Sequence, residues 1–301
     1  MIAVVSHDAG GAEILSSWLR QNLEPYCLVL GGPAIAIFKR KLGDCQTRPL
    51  AQAIELCDWV LCGTSWQSIL EKQAIIQAKV AGKIVIAFLD HWVEFEGRFK
   101  NQGIAVYPDE IWVGDVDAEK IAHNIFPDVT VVLKSNPYFE DLQIELDATK
   151  EPPRDSKKCS VLYVCEPLRE QALLQYGDEH YWGYTEEDAL QFFFKNIDAM
   201  GVAVSEIKVR PHPSESKNKY DWARQVNPLV IETASTKTLM EQIVEADVVV
   251  GCESMAMVVA LLANKRVIST IPPGGKVCGL PQAAIEHLQM LVTKYQGTLD
   301  D

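Results

Sequence analysis

Apolar, β-branched runs alternate with amphipathic stretches along the whole chain. "IAVVS" (2–6) precedes "AEILSSWLRQN" (12–22), in which Leu15, Trp18 and Leu19 share one helical face. "CLVLGGP" (27–33), "WVLCG" (59–63), "KIVIAFLD" (83–90), "EIWVGD" (110–115) and "TVVLKS" (130–135) read as further strands, with a helix from about Ser65 to Lys79. Strands nearly continuous in Val, Ile and Leu are buried on both faces. With helices between them they predict a parallel sheet covered on both sides.

The alternation breaks at "DLQIELDATKEPPRDSKK" (141–158), where two adjacent prolines and mixed charges read as a linker. It then restarts. "SVLYVCE" (160–166), "EIKVRP" (206–211), "PLVIE" (228–232), "DVVVGCE" (247–253) and "RVIST" (266–270) are predicted strands. Residues 186–201, 236–246, 254–265 and 283–297 are predicted helices. The expected architecture is α/β, with two Rossmann-like domains facing a cleft. Residues 1–145 form the first domain, 146–158 the linker and 159–301 the second, whose last helix can pack back on the first. Ligands of such sheets sit at the carboxyl ends of the strands.

The totals narrow the function. The chain has 301 residues, 48% of them hydrophobic and 23% charged, the balance of a soluble globular protein. No apolar run reaches the length of a membrane span, and "MIAVVSHDAGG" reads as a first strand rather than a signal peptide, so a cytoplasmic protein without an integral membrane segment is expected. Eight cysteines form no C-x-x-C pair, which argues against a zinc ribbon; in a reducing cytosol they are expected to be unpaired. A net charge of −13 repels phosphate backbones and makes nucleic acid a poor partner. A small anionic ligand requires positive groups gathered locally.

Four stretches carry candidate chemistry. In "SHDAGGAE" (6–13), Gly10 and Gly11 permit a tight strand-to-helix turn, but the spacing is not G-x-G-x-x-G. Asp8 either caps the helix or, with His7, supplies a base. "LDHWVEFEGRF" (89–99) crowds Asp90, His91, Glu94, Glu96 and Arg98 behind an apolar strand. It is either a solvated loop or a source of acid/base groups, and Trp92, Phe95 and Phe99 argue against pure solvation. No metal-ligand spacing is present, so no metal is expected. In "KVRPHPSES" (208–216), Arg210 and His212 stand at a proline-stiffened corner and Ser214 reads as the cap of a following helix, a plausible phosphate site. "ADVVVGCESMAMVVALL" (246–262) places Gly251, Glu253 and Ser254 at the start of an apolar helix, where amides and a hydroxyl suit a second phosphate oxygen and Glu253 a sugar hydroxyl. Read plainly, both of the last two stretches are capped turns.

The R-P-H-P strand end, followed by "ADVVVGCES" and an apolar helix, resembles GT-B-type glycosyltransferases, nearest to bacterial capsule and polysialic-acid transferases and CDP-glycerol glycerophosphotransferases. The resemblance implies that His212 and Ser254 hold the donor's phosphates. It also implies that an acidic motif in the first domain, here "EFEG" with Glu94 and Glu96, supplies the base. "HWVEFEGRF" is faintly similar to a stretch of UDP-N-acetylglucosamine 2-epimerases, which share the fold. Three functions follow as alternatives. The first is a metal-independent glycosyltransferase of surface polysaccharide biosynthesis, using a nucleotide-sugar donor and a glycan or small-molecule acceptor with no further cofactor. The second is a sugar-nucleotide epimerase or hydrolase. The third is a non-catalytic nucleotide- or glycan-binding protein. The base, sugar, acceptor and oligomeric state are not readable.

Overall fold

The computed structural model describes residues 1–65, 68–151 and 159–297. The chain divides into two α/β units, Met1–Asp141 and Leu142–Asp301.

The first unit is built on β1 (Ile2–Ser6), β2 (Tyr26–Leu30), β3 (Trp59–Cys62), β4 (Ile84–Leu89), β7 (Glu110–Val113) and β8 (Thr130–Leu133), with a two-stranded ribbon of β5 (Lys100–Asn101) and β6 (Ile104–Ala105) at its side. The six main strands are parallel, in the order β2-β1-β3-β4-β7-β8. Every residue of β1 is buried, as a central strand covered on both faces must be. On one face Trp18, Trp59 and Trp112 pack ring to ring at centroid distances of 5.9–6.3 Å.

The second unit repeats the plan with β9 (Cys159–Val164), β10 (Val204–Arg210), β11 (Val230–Glu232), β12 (Val248–Gly251), β13 (Arg266–Ser269) and β14 (Ile285–His287), ordered β11-β10-β9-β12-β13-β14 and again parallel. In each sheet the chain leaves its first strand to one side and later returns to the other. That creates a switch point between β1 and β3 in the first unit and between β9 and β12 in the second, the crevice where open α/β sheets receive ligands.

Several expectations change. The segment expected to open the linker is helical: Pro137–Ala148 forms a helix because Leu142 and Leu146, one turn apart, are both buried. Residues 152–158 of that linker lie outside the described residues. The expected helix 283–297 begins only at Leu288, since Ile285–His287 pairs with β13 as an edge strand. The helix then packs within its own unit, with Leu288 buried and Leu291 and Val292 against the same core. Helices Ala34–Leu42, Leu50–Leu56, Val116–Ile125 and Leu168–Tyr176 are additional to those predicted. All eight cysteines are free. Among the described residues no helix is long and apolar enough to cross a membrane.

Candidate active-site residues at two sheet switch points

At the first switch point the chain leaves β1 through His7 and Asp8 into helix Ala9–Gln21. Asp8 occupies the capping position, but its side chain makes no capping bond. It meets His7 instead, Oδ1 lying 2.8 Å from Nδ1. A carboxylate can only accept there, so Nδ1 carries the proton and Nε2 the lone pair, the arrangement of an oriented imidazole base. The His7 backbone N–H donates to Glu71 Oε1 at 2.6 Å. Glu71 is buried and its Oε2 has no partner among the described residues; burial pushes its carboxyl above the usual carboxylate range.

The two adjacent glycines serve packing. A Cβ at Gly10 would stand 1.9 Å from Asp90 Oδ2, and one at Gly11 3.2 Å from Gly63 Cα. Only glycine lets the Asp90 carboxylate and the β3 turn close on the helix start. Asp90 pairs with Arg98 Nη1 at 2.6 Å, both side chains nearly buried. Thr64 Oγ1 donates to Asp90 at 3.1 Å and accepts from Arg98 at 2.9 Å. A buried ion pair with each partner further hydrogen-bonded is the form that desolvation permits.

The "EFEG" carboxylates lie elsewhere. Phe95 and Phe99 are buried against Phe126, and the single turn Phe95–Arg98 then directs Glu94 and Glu96 outward. Glu96 is 60% exposed and pairs with Lys100 at 2.5 Å, while Glu94 sits at φ 56° before the turn. Of the acidic residues in this stretch, the structure brings Asp90 to the sheet edge beside the His7–Asp8 turn. His91 accepts from the Trp92 N–H at 3.0 Å, and Trp92 donates its ring N–H to Asp115 at 2.9 Å.

In the second unit, Arg210 ends β10 and its Nη1 donates to Gln242 Oε1 and, at 3.1 Å, to the Lys237 carbonyl. His212 is half-buried. Its backbone N–H donates to Glu215 Oε2 at 2.7 Å; its Nδ1 lies 2.7 Å from Ser214 Oγ and accepts the Ser214 N–H at 3.2 Å. With Nδ1 accepting, the neutral ring holds its proton on Nε2. Burial pushes the His212 pKa below its ordinary value, against an opposing pull from Glu215.

No helix starts at Ser214. Residues 213–222 are turns and bends, and the next helix is the single turn Ala223–Val226. The side chains of Ser214 and Glu215 are spent on His212, a local alternative that competes with helix formation. Glu215 Oε1 further accepts from Tyr220 at 2.8 Å and Lys219 at 2.9 Å, and Lys219 also pairs with Glu170 at 2.8 Å and with Glu186. Glu170, Glu186 and Glu215 converge closely enough to hold a cation, and the Lys219 ammonium fills that role. Burial alone would lower the Lys219 pKa; the three carboxylates outweigh it and raise it.

Ser254 caps helix Met255–Leu262, its Oγ accepting from the Ala256 N–H at 3.2 Å, as expected. Glu253 is held by Lys276 and by the Gly279 N–H at 3.0 Å, so it fastens the 271–281 loop. At Gly251 a Cβ would fall 2.8 Å from Val164 Cγ2 and 3.0 Å from the Val164 carbonyl oxygen, which makes that glycine a packing requirement between β12 and β9.

Arg210 pairs with Val164 across β10 and β9, and β12 lies on the other side of β9. At about 4.8 Å per strand, the turns bearing His212 and Ser254 leave the sheet roughly 10 Å apart. Between them stands Glu166, which the sequence reading took only as the end of a strand. It accepts the Glu253 N–H at 2.8 Å and the Cys252 N–H at 3.3 Å. Burial, reinforced by the Glu253 charge, pushes its carboxyl up to about 7 against the two N–H bonds and Lys276. A glutamate two residues past an apolar strand at a switch point was the available signal.

Solved structures resemble the chain over nearly its full length. UDP-GlcNAc 2-epimerase from Neisseria meningitidis bound to UDP-GlcNAc aligns over 100% of this chain and 92% of that one, with TM-score 0.63 and 8% identity. UDP-GlcNAc 2-epimerase from Methanocaldococcus jannaschii, in complex with UDP-GlcNAc and UDP, aligns over 100% and 93%, with TM-score 0.60 and 10% identity. MurG of Acinetobacter baumannii aligns over 100% and 91%, with TM-score 0.52 and 11% identity. The fold is GT-B. No family model matches the sequence, and no curated protein matches it. Identities this low establish the fold alone, so the resemblance to capsule and glycerophosphate transferases rests on the R-P-H-P and Ser254 stretches.

Proposed function

We propose that the protein is a nucleotide-sugar enzyme, most simply a metal-independent glycosyltransferase using a UDP-linked donor. The observation that carries this reading is the fixed tautomer of His212, which leaves Nε2–H as a donor at the carboxyl edge of the second sheet. In this reading His212 and the Ser254-capped helix start hold the nucleotide's phosphate, with Arg210 beside them. In the first unit His7, oriented by Asp8, is the candidate base for an acceptor hydroxyl. The acceptor oxygen then bonds to the anomeric carbon as the bond to the phosphate oxygen breaks, and the charge developing on that phosphate is met by preorganised donors. The uridine preference follows the ligands of the solved structures that share the fold.

A second reading, a UDP-sugar 2-epimerase, is supported by the higher TM-scores of the epimerase structures, 0.60–0.63 against 0.52 for MurG. It needs no acceptor, and Asp90 and Glu71 become its candidate acid/base groups. Incubating the protein with UDP-N-acetylglucosamine separates the two. Sugar transfer that depends on an added acceptor supports the transferase; an isomerised sugar without acceptor supports the epimerase. In either case His212→Ala is expected to lower turnover by about 100-fold, and wild-type turnover in the mutant would remove His212 from the site.

A further inference from the structure

We propose that Glu166 belongs to the anion subsite of the second unit and takes up a proton from solvent when the phosphate of a nucleotide-sugar binds there. The inference rests on the nucleotide-sugar reading above and deepens it.

Glu166 stands at the β9/β12 switch point, the position at which a sheet of this strand order receives its ligand. Its carboxylate takes the backbone N–H groups of Cys252 and Glu253, donors that point toward the same turn as the Ser254 cap. An anionic side chain therefore already occupies the mouth of the helix start where a phosphate is proposed to sit. Glu166 is partly buried, so its carboxyl is removed from bulk water without being sealed from it. Two anions within a few ångströms, with little water between them, repel strongly, and protonation of the carboxyl is the route by which such a pair is accommodated. Protonated Glu166 still accepts through its carbonyl oxygen and gains an O–H that can donate to a phosphate oxygen.

The groups facing Glu166 leave it as the one poised to respond. Tyr163 on β9, Cys165 just past it, Cys252 beyond β12, Cys278 in the 271–281 loop and Tyr184 all have their acids pushed up by burial, so they stay neutral around pH 7. Glu253 is already paired with Lys276, which limits the net charge that this pair presents. The unperturbed carboxyl pKa lies near 4, far below working pH, whereas burial places Glu166 close to neutrality.

The test is titration calorimetry with UDP-N-acetylglucosamine at pH 8 in buffers of differing ionisation enthalpy. Its diphosphate diester does not itself titrate there. Wild type is expected to take up a large fraction of one proton per ligand at pH 8 and much less at pH 5.5. The E166Q protein keeps an acceptor for the two N–H groups and is expected to take up close to none, while binding about tenfold more tightly at pH 8. Equal proton uptake by the two proteins would overturn the inference and leave the proposed function standing. No binding by wild type would overturn both. Should E166Q fail to fold, the affinity of wild type across pH 6 to 8.5 decides: it must weaken as pH rises, and a flat profile overturns the inference.

Discussion

Asp90 shows how burial gives one carboxylate of a charged stretch a part that its neighbours in sequence do not share. In the sequence it is one of several charges in a crowded loop. In the structure it is nearly buried, closed in by Gly10, and satisfied by Arg98 and Thr64. Removing the cation strands that carboxylate, so R98M is expected to cost about 3–5 kcal/mol in urea unfolding. A loss under 1 kcal/mol would mean the pair is solvated. Glu166 makes a second prediction at the same level. Its folded pKa, about 7, lies above that of the unfolded chain, so its ionisation penalises the folded state as pH rises from about 4.5 to 7. The penalty is absent below that window, complete above it, and no larger than about 3.5 kcal/mol. Melting temperatures of wild type and E166Q should therefore coincide near pH 4 and separate by pH 8, with E166Q the more stable. For Glu166 the only signal was its place two residues past an apolar strand; burial and partner geometry, not residue type, set both roles. The Ser254 cap was legible, since a serine opening an apolar helix is constrained locally, whereas Gly251, read as giving a ligand close approach, is required for packing against Val164.

Helices and strands were read best where periodicity was strong. The β1, β3, β10 and β12 strands fall where runs of Val, Ile and Leu place them. The helix expected after Ser214 was missed for a specific reason: Ser214 and Glu215 bond back to His212, and Glu215 is anchored by Lys219 and Tyr220. The helical spacing of Ile285 and Leu288 hid β14, since a three-residue edge strand is too short to show alternation. The turn bearing His212 thus depends on an ion-pair network, not on a helix dipole. Lys219→Met is expected to leave Glu215 without its cation and to weaken UDP-sugar binding more than tenfold by releasing that turn. Unchanged affinity in a folded K219M protein would show that the network does not position His212. At the other turn, Ser254→Ala should cost about 1 kcal/mol of stability through the lost cap, measured by thermal unfolding.

A parallel sheet in each half was implied by the restart of the alternation near residue 159, with six strands legible in the first half and five of the six in the second. The boundary was less clear because Pro137–Ala148 continues as helix to within a few residues of the two prolines. A chain carrying −13 net charge holds its candidate phosphate donors, Arg210 and His212, on one unit, as an anionic ligand requires. The central claim is that the second unit binds the nucleotide through the turns after β10 and β12. Hydrogen exchange with and without UDP tests it most directly. The account predicts slowed exchange at residues 210–216 and 252–257, lost in His212→Ala. Protection confined to residues 1–141, or none at saturating UDP, would contradict it.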